Sequence, residues 1–166
     1  YVGFCEFFQA STSKRLVLFS DGTDLWVDDY AGTSCSKVTD ADMPTPHVPQ
    51  PVSLNGYVFL IDSNTNDIYN CDNDDPTAWT PGDYISAEMS GDYGIMLANM
   101  RSYIVCFGNK SLEMFYDAAN ASGSPMKRVE SGYKSIGYVT GLVKIADILF
   151  FVGQDENKNI AVYRLD

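Results

Sequence analysis

Of the 166 residues, 45% are hydrophobic and 13% aromatic against 20% charged, which supplies one sizeable core and excludes a disordered polar chain. Twenty-two acidic against eleven basic side chains leave a net charge of −11, which disfavours a surface built to clamp phosphates and with it tight nucleic-acid binding. No run approaches the roughly 18 consecutive apolar residues of a membrane span, and the start, Tyr1 rather than Met, shows no signal peptide, so a fragment of a longer protein is expected.

In chain order, the first elements are the apolar segment CEFF (Cys5 to Phe8) and a hairpin, RLVLFSDGTDLWV (Arg15 to Val27). Asp21-Gly22 between its arms is a two-residue turn signal, because both central positions accept positive φ. The stretch MPTPHVPQP (Met43 to Pro51) holds four prolines in nine residues, cannot be a central strand, and is expected to cross extended between two units. His47 within it reads as a lone exposed histidine without a carboxylate or cysteine set, hence neither catalyst nor metal ligand.

The pattern then recurs as PVSLN (Pro51 to Asn55) and GYVFLIDSNTNDIYN (Gly56 to Asn70). Asp62, Asn64 and Asn66 repeat the first, third and fifth ligands of a calcium loop, but Asp67 replaces the required glycine and Asn73 the bidentate glutamate. A polar hairpin turn is the better reading. The acidic stretch CDNDDPTAW (Cys71 to Trp79) reads as a solvated loop, with lining of a cation or sugar site by Asp72, Asp74 and Asp75 as the alternative. GDYISAEMS (Gly82 to Ser90) is expected as a more polar fourth strand.

The third unit opens with GIMLAN (Gly94 to Asn99) and continues as RSYIVCFGNKSLEMFYD (Arg101 to Asp117), a hairpin turning at Gly108-Asn109. Its first arm, Tyr103 to Phe107, is apolar on both faces, as in a strand covered from either side, while Glu113 restores some alternation in the second. Cys106 is expected to behave as a small buried hydrophobe. The loop from Asp117 to Gly132 carries Lys127-Arg128, read as a surface pair facing Glu130, and Tyr133 to Thr140 is expected as the fourth strand. GLVKI (Gly141 to Ile145) and ADILFFVGQDENKNIAVYRL (Ala146 to Leu165) supply three strands of a fourth unit.

Matching positions Leu16, Tyr57, Tyr103 and Ile148 are 41, 46 and 45 residues apart, which suits propeller blades and predicts that they begin equivalent inner strands. The expected fold is all-β, about three and a half four-stranded blades of a larger β-propeller, with units at approximately 1–50, 51–93, 94–140 and 141–166. Cys5, Cys35, Cys71 and Cys106 include no C-x-x-C pair and accompany a single histidine, so zinc is disfavoured and free thiols are expected, although the even count leaves a disulfide open. Trp26 and Trp79 read as packing between sheets, with a sugar platform as the alternative. Walker, dinucleotide, nucleophile-elbow and zincin motifs are absent, and no pair of carboxylates stands out as a glycosidase couple. No catalytic, cofactor or metal residue is nominated, and interaction sites are unassigned.

The runs NMRSYIVCFGNKSLEMFYDAANASGSP (Asn99 to Pro125) and KSIGYVTGLVKIADILFFVG (Lys134 to Gly153) resemble the propeller of the packaged-DNA stabilisation proteins of short-tailed bacteriophages, which are tail hub or nozzle subunits. The likeness is strongest from Tyr103 to Tyr116, in the arm ending Val105-Cys106-Phe107-Gly108 and the return Leu112-Glu113-Met114-Phe115, and extends more loosely from Tyr1 to Asp166. The resemblance implies a structural virion protein, without enzymatic activity or cofactor, assembled in the host cytoplasm. It implies a hexameric ring below the portal and adaptor that closes the DNA exit channel, retains packaged DNA without sequence-specific binding and takes part in genome ejection. The family protein is longer, in keeping with a fragment. The competing expectation is a stand-alone propeller module that binds or hydrolyses a host glycan.

Overall fold

The computed structural model describes residues 1–32 and 35–166 and arranges them in four antiparallel sheets. Sheet 1 contains β1 (Gly3–Gln9), β2 (Lys14–Ser20), β3 (Leu25–Asp28) and β4 (Ser36–Lys37). Sheet 2 contains β5 (Val52–Leu54), β6 (Tyr57–Ile61), β7 (Asp67–Asp72) and β8 (Asp75–Ser86). Sheet 3 contains β9 (Gly94–Met100), β10 (Tyr103–Gly108), β11 (Leu112–Asp117) and β12 (Met126–Arg128), and sheet 4 contains β13 (Gly137–Ile145), β14 (Ile148–Gln154) and β15 (Ile160–Leu165). Every sheet is a meander in chain order, and neighbouring sheets meet chiefly through their first two strands, so the fan converges on β1, β5, β9 and β13. This is the blade arrangement of a propeller.

The register makes the repeat explicit. Glu6 pairs with Val17, Ser53 with Val58, Asn99 with Ile104 and Lys144 with Leu149, one residue beyond the four positions matched by spacing. Those matched positions lie in the second strand of each sheet rather than the innermost one, and Tyr57, Tyr103 and Ile148 begin theirs while Leu16 is two residues into β2. The apolar segments before them form the innermost strands, because a tight turn folds each segment back onto the hairpin.

Three apolar seams join the four sheets. In the first, Phe7, Leu16, Leu18 and Leu25 meet Val58, Leu60, Cys71 and Trp79. In the second, Phe59, Ile61 and Ile68 meet Leu97, Ile104, Cys106 and Phe115. In the third, Val105, Phe107 and Leu112 meet Leu149 and Phe151. Strand β10 therefore sends Ile104 and Cys106 to one seam and Val105 and Phe107 to the next, the reason it is apolar at every position. The outer flanks of sheets 1 and 4 are open. Phe4, Phe8 and Trp26 are exposed on one, and Val143, Ile145, Ile160 and Val162 on the other.

Several local expectations change. Asp21-Gly22 belongs to a four-residue connection between Ser20 and Leu25, in which only Gly22 has positive φ (+96°) and the Asp21 carboxylate accepts the N–H groups of Thr23 and Asp24. The acidic stretch after Cys71 is largely strand: β8 starts at Asp75, and bulges opposite Cys71 absorb the extra residues before Tyr84 meets Tyr69. The fourth strand of sheet 3 is Met126–Arg128, and Gly137–Thr140 opens β13 in the next sheet instead. The proline-rich crossover is turned rather than extended, with a cis Thr45–Pro46 bond. Trp79 packs in the first seam, but Trp26 faces the open flank, being opposite Phe19 on the uncovered side of sheet 1.

Candidate functional surfaces

The converging strands carry a polar ladder at their equivalent positions. Ser53 Oγ donates to the Glu6 carbonyl at 2.6 Å, Asn99 Nδ2 donates to the Ser53 carbonyl at 2.9 Å, and Lys144 Nζ donates to Asn99 Oδ1 at 3.0 Å. An innermost strand has one unpaired edge, and these side chains satisfy part of it by reaching to the preceding blade. A single register position thereby links all four sheets around the line on which they converge.

The second seam holds a buried charge cluster. Glu113 is 3% exposed; its Oε2 accepts Arg128 Nε at 2.8 Å and its Oε1 accepts the Met89 N–H at 2.9 Å. Arg128 also donates to the Ser86 carbonyl at 2.7 Å, and its guanidinium lies 5.9 Å from the Phe115 ring centroid. Arg128 thus ties the end of sheet 2 to sheet 3, and its partner is Glu113 rather than Glu130. The two are brought together by the pairing of Phe115 with Arg128, which places the guanidinium beside the second arm of the hairpin.

His47 is the largest correction to the sequence reading. It is 1% exposed, with Nδ1 2.8 Å from the Pro44 carbonyl and Nε2 2.6 Å from Ser20 Oγ, and burial pushes its pKa below the ordinary value. The crossover turns it inward because its backbone N–H bonds the Gly22 carbonyl on sheet 1. Ser20 and His47 have the spacing of a nucleophile and its base, but both are sealed from solvent, so the pair works as a fastening.

The acidic side chains at these turns are occupied by hydrogen bonds, some within the turn and some across a seam. Asp62 Oδ1 accepts the Asn64 N–H and Thr65 Oγ1 the Asp67 N–H, as a polar hairpin turn requires, while Asp67 Oδ1 accepts Ser86 Oγ–H from the paired strand β8. Asp74 accepts the N–H groups of Ala10 and Ser11 across the first seam, and these bonds hold its carboxyl below the usual range. Asp117 accepts Asn55 Nδ2 at 3.0 Å across the second seam. The cysteines are free; burial pushes the Cys5 and Cys71 thiols up to about 12 and Cys106 in the same direction, leaving them poor nucleophiles. Five of the eleven basic side chains, Lys14, Arg15, Lys37, Arg128 and Arg164, are already in ion pairs with carboxylates.

A family model described as Bacteriophage P22 Gp10, beta-propeller, matches residues 5–166. The chain belongs to that family. No curated protein matches the chain closely enough to add to the assignment. Membership agrees with the all-β sheets and identifies a phage structural protein concerned with DNA stabilisation. Within this P22 Gp10-type propeller, the ladder and seams are architectural features. The residues that sequence reasoning missed are those that fasten blade to blade: Ser53, Asn99, Lys144, Ser20 with His47, and Arg128 with Glu113. Only Ser53, Asn99 and Lys144 carry a signal in the sequence, because they share one register position in successive units. Among the described residues no helix is long and apolar enough to cross a membrane.

Proposed function

We propose that this chain is the propeller of a tail hub or nozzle subunit, assembled in the host cytoplasm into a hexameric ring joined to the portal and adaptor. In this reading the ring closes the DNA exit channel, retains the packaged genome and takes part in its ejection. The observation that carries it is the family match over residues 5–166. The role is structural and needs no cofactor. Retention is mechanical: a net charge of −11, with nearly half of the cations committed to carboxylates, gives threaded DNA little to adhere to and lets it slide.

The test is to locate the protein on virions by electron microscopy with a specific Fab, and to image the full-length subunit alone. A ring on the tail axis, with the Fab at that level, is the expected result. A peripheral appendage, or a Fab signal confined to fibres, would replace the hub with a receptor-binding or glycan-degrading module.

A further inference from the structure

His47 is the single histidine of the chain and lies in the crossover between sheets 1 and 2. Its ring nitrogens have fixed duties. The Pro44 carbonyl can only accept, so Nδ1 carries the proton. Nε2 is then the acceptor and the Ser20 hydroxyl its donor, at 2.6 Å. Ser20 is fully buried, and its oxygen also accepts the Gly22 N–H at 3.1 Å. A second proton on the ring would turn Nε2 into a donor and strand the Ser20 hydroxyl hydrogen inside the protein.

Three backbone bonds depend on the same short segment. His47 N–H bonds the Gly22 carbonyl at 2.8 Å, Val48 N–H the Ile61 carbonyl at 2.8 Å, and Ser63 N–H the Pro46 carbonyl at 3.0 Å. Met43 packs in the first seam and Val48 against the second, so the ring sits where the crossover is fastened to both.

We propose that His47 is a proton-operated latch: the neutral ring fastens the crossover to sheet 1, and protonation frees the segment around Pro46–Val48 and loosens the first seam. The charged groups facing the ring are Asp21 and Asp24 from the turn of sheet 1 and Asp62 from the β6–β7 turn, and all three favour the imidazolium. Their pull is weakened by other partners. Asp24 is paired with Lys37 at 2.7 Å, while Asp21 and Asp62 accept N–H groups of their own turns. Burial outweighs them and sets the folded pKa below the ordinary 6.5. The unfolded chain then binds the proton more readily, so the latch contributes its full stability above pH 6.5 and loses it as pH falls from there towards the folded pKa.

The imidazole titration followed by NMR tests this directly, since one histidine gives one unambiguous signal. The midpoint in the folded protein is expected below 6.5. Ser20→Ala should move it, because the hydroxyl that serves Nε2 is gone, and Ser20→Thr should return it towards the parent value. Hydrogen-exchange protection of His47, Val48 and Ser63, corrected for intrinsic rates, should fall by up to about tenfold per pH unit across the window. That fall should be absent in His47→Gln. A midpoint at or above 6.5, or one unmoved by Ser20→Ala, would overturn the latch. So would an equal acid-dependent loss in His47→Gln, which would assign the effect to carboxylates. Should His47→Gln not fold, the Ser20→Ala titration decides alone.

Discussion

Replacing Arg128 by Ala removes the cation from a buried carboxylate. The Glu113 side chain is 4% exposed and that of Arg128 25%, so the pair is buried on one side and reachable by solvent on the other. Breaking a fully buried pair by deleting one partner costs about 3–5 kcal/mol. The space vacated by Arg128 admits water towards Glu113 and the Ser86 carbonyl, which places the expected loss near the lower end, about 3 kcal/mol. In a chain of this size that corresponds to a melting point lower by about 6–12 °C. Glu113→Leu combined with Arg128→Leu should recover most of the loss, because no charge is left behind and Met89, itself exposed, can satisfy its N–H with water. Urea titration followed by tryptophan fluorescence is suitable, since Trp79 is 4% exposed in the first seam, and nanomolar protein limits association. An Arg128→Ala variant within about 1 kcal/mol of the parent, or a double variant no better than the single, would refute the assignment of Arg128 as the clasp between sheets 2 and 3.

Cys106 pairs directly with Glu113 across the hairpin and is 2% exposed, so Cys106→Asp should cost at least about 3 kcal/mol by setting a second buried carboxylate beside the first, while Cys106→Ala should be mild. The same urea titration checks both, and an Asp variant as stable as the parent would mean that β10 is not interior. The open flanks predict self-association of the 166-residue chain, with Phe4 68% and Val162 73% exposed at positions where the inner sheets are covered. Sedimentation velocity across a concentration series should show it, Phe4→Glu and Val162→Lys should reduce it, and a monodisperse parent monomer would contradict it. Duplex DNA should bind weakly and without sequence preference near physiological salt, because a protein making about 6–10 phosphate contacts needs a basic track, and this chain has 11 basic against 22 acidic residues with five of the cations in ion pairs. Fluorescence anisotropy at several salt concentrations measures this, and submicromolar binding that persists at physiological salt would sink the passive-conduit reading.

The fold was legible because its strongest signals are local and repeated. The spacing of Leu16, Tyr57, Tyr103 and Ile148 survives in the structure as an aligned register, and the two-sided apolarity of Tyr103 to Phe107 does mark a strand between two seams. Fourth strands were misplaced for a physical reason. They are short or bulged and carry no periodic pattern, each sending only an isolated side chain such as Trp79 or Met126 into a seam, so Met126–Arg128 reads as loop and the polar start of β13 reads as an outer strand.

The fastening residues were illegible for a different reason, which bears on how such a fold holds together. Each is a polar or charged side chain whose meaning depends on a partner far away in sequence: Ser20 with His47, Arg128 with Glu113 and the Ser86 carbonyl, Asn99 with the Ser53 carbonyl. Composition counts His47 as an exposed proline-linker histidine and Lys127-Arg128 as a surface pair, because polarity alone predicts solvent. Burial becomes tolerable only once pairing supplies the missing bonds, and pairing is set by register. A blade buries apolar area against either neighbour with little discrimination, whereas a buried Glu113 bound to Arg128 accepts one geometry only. The apolar seams therefore supply most of the cohesion and the polar fastenings fix the order and angle in which the blades stack, so a change at a fastening should disturb the alignment of the sheets before it dissolves them.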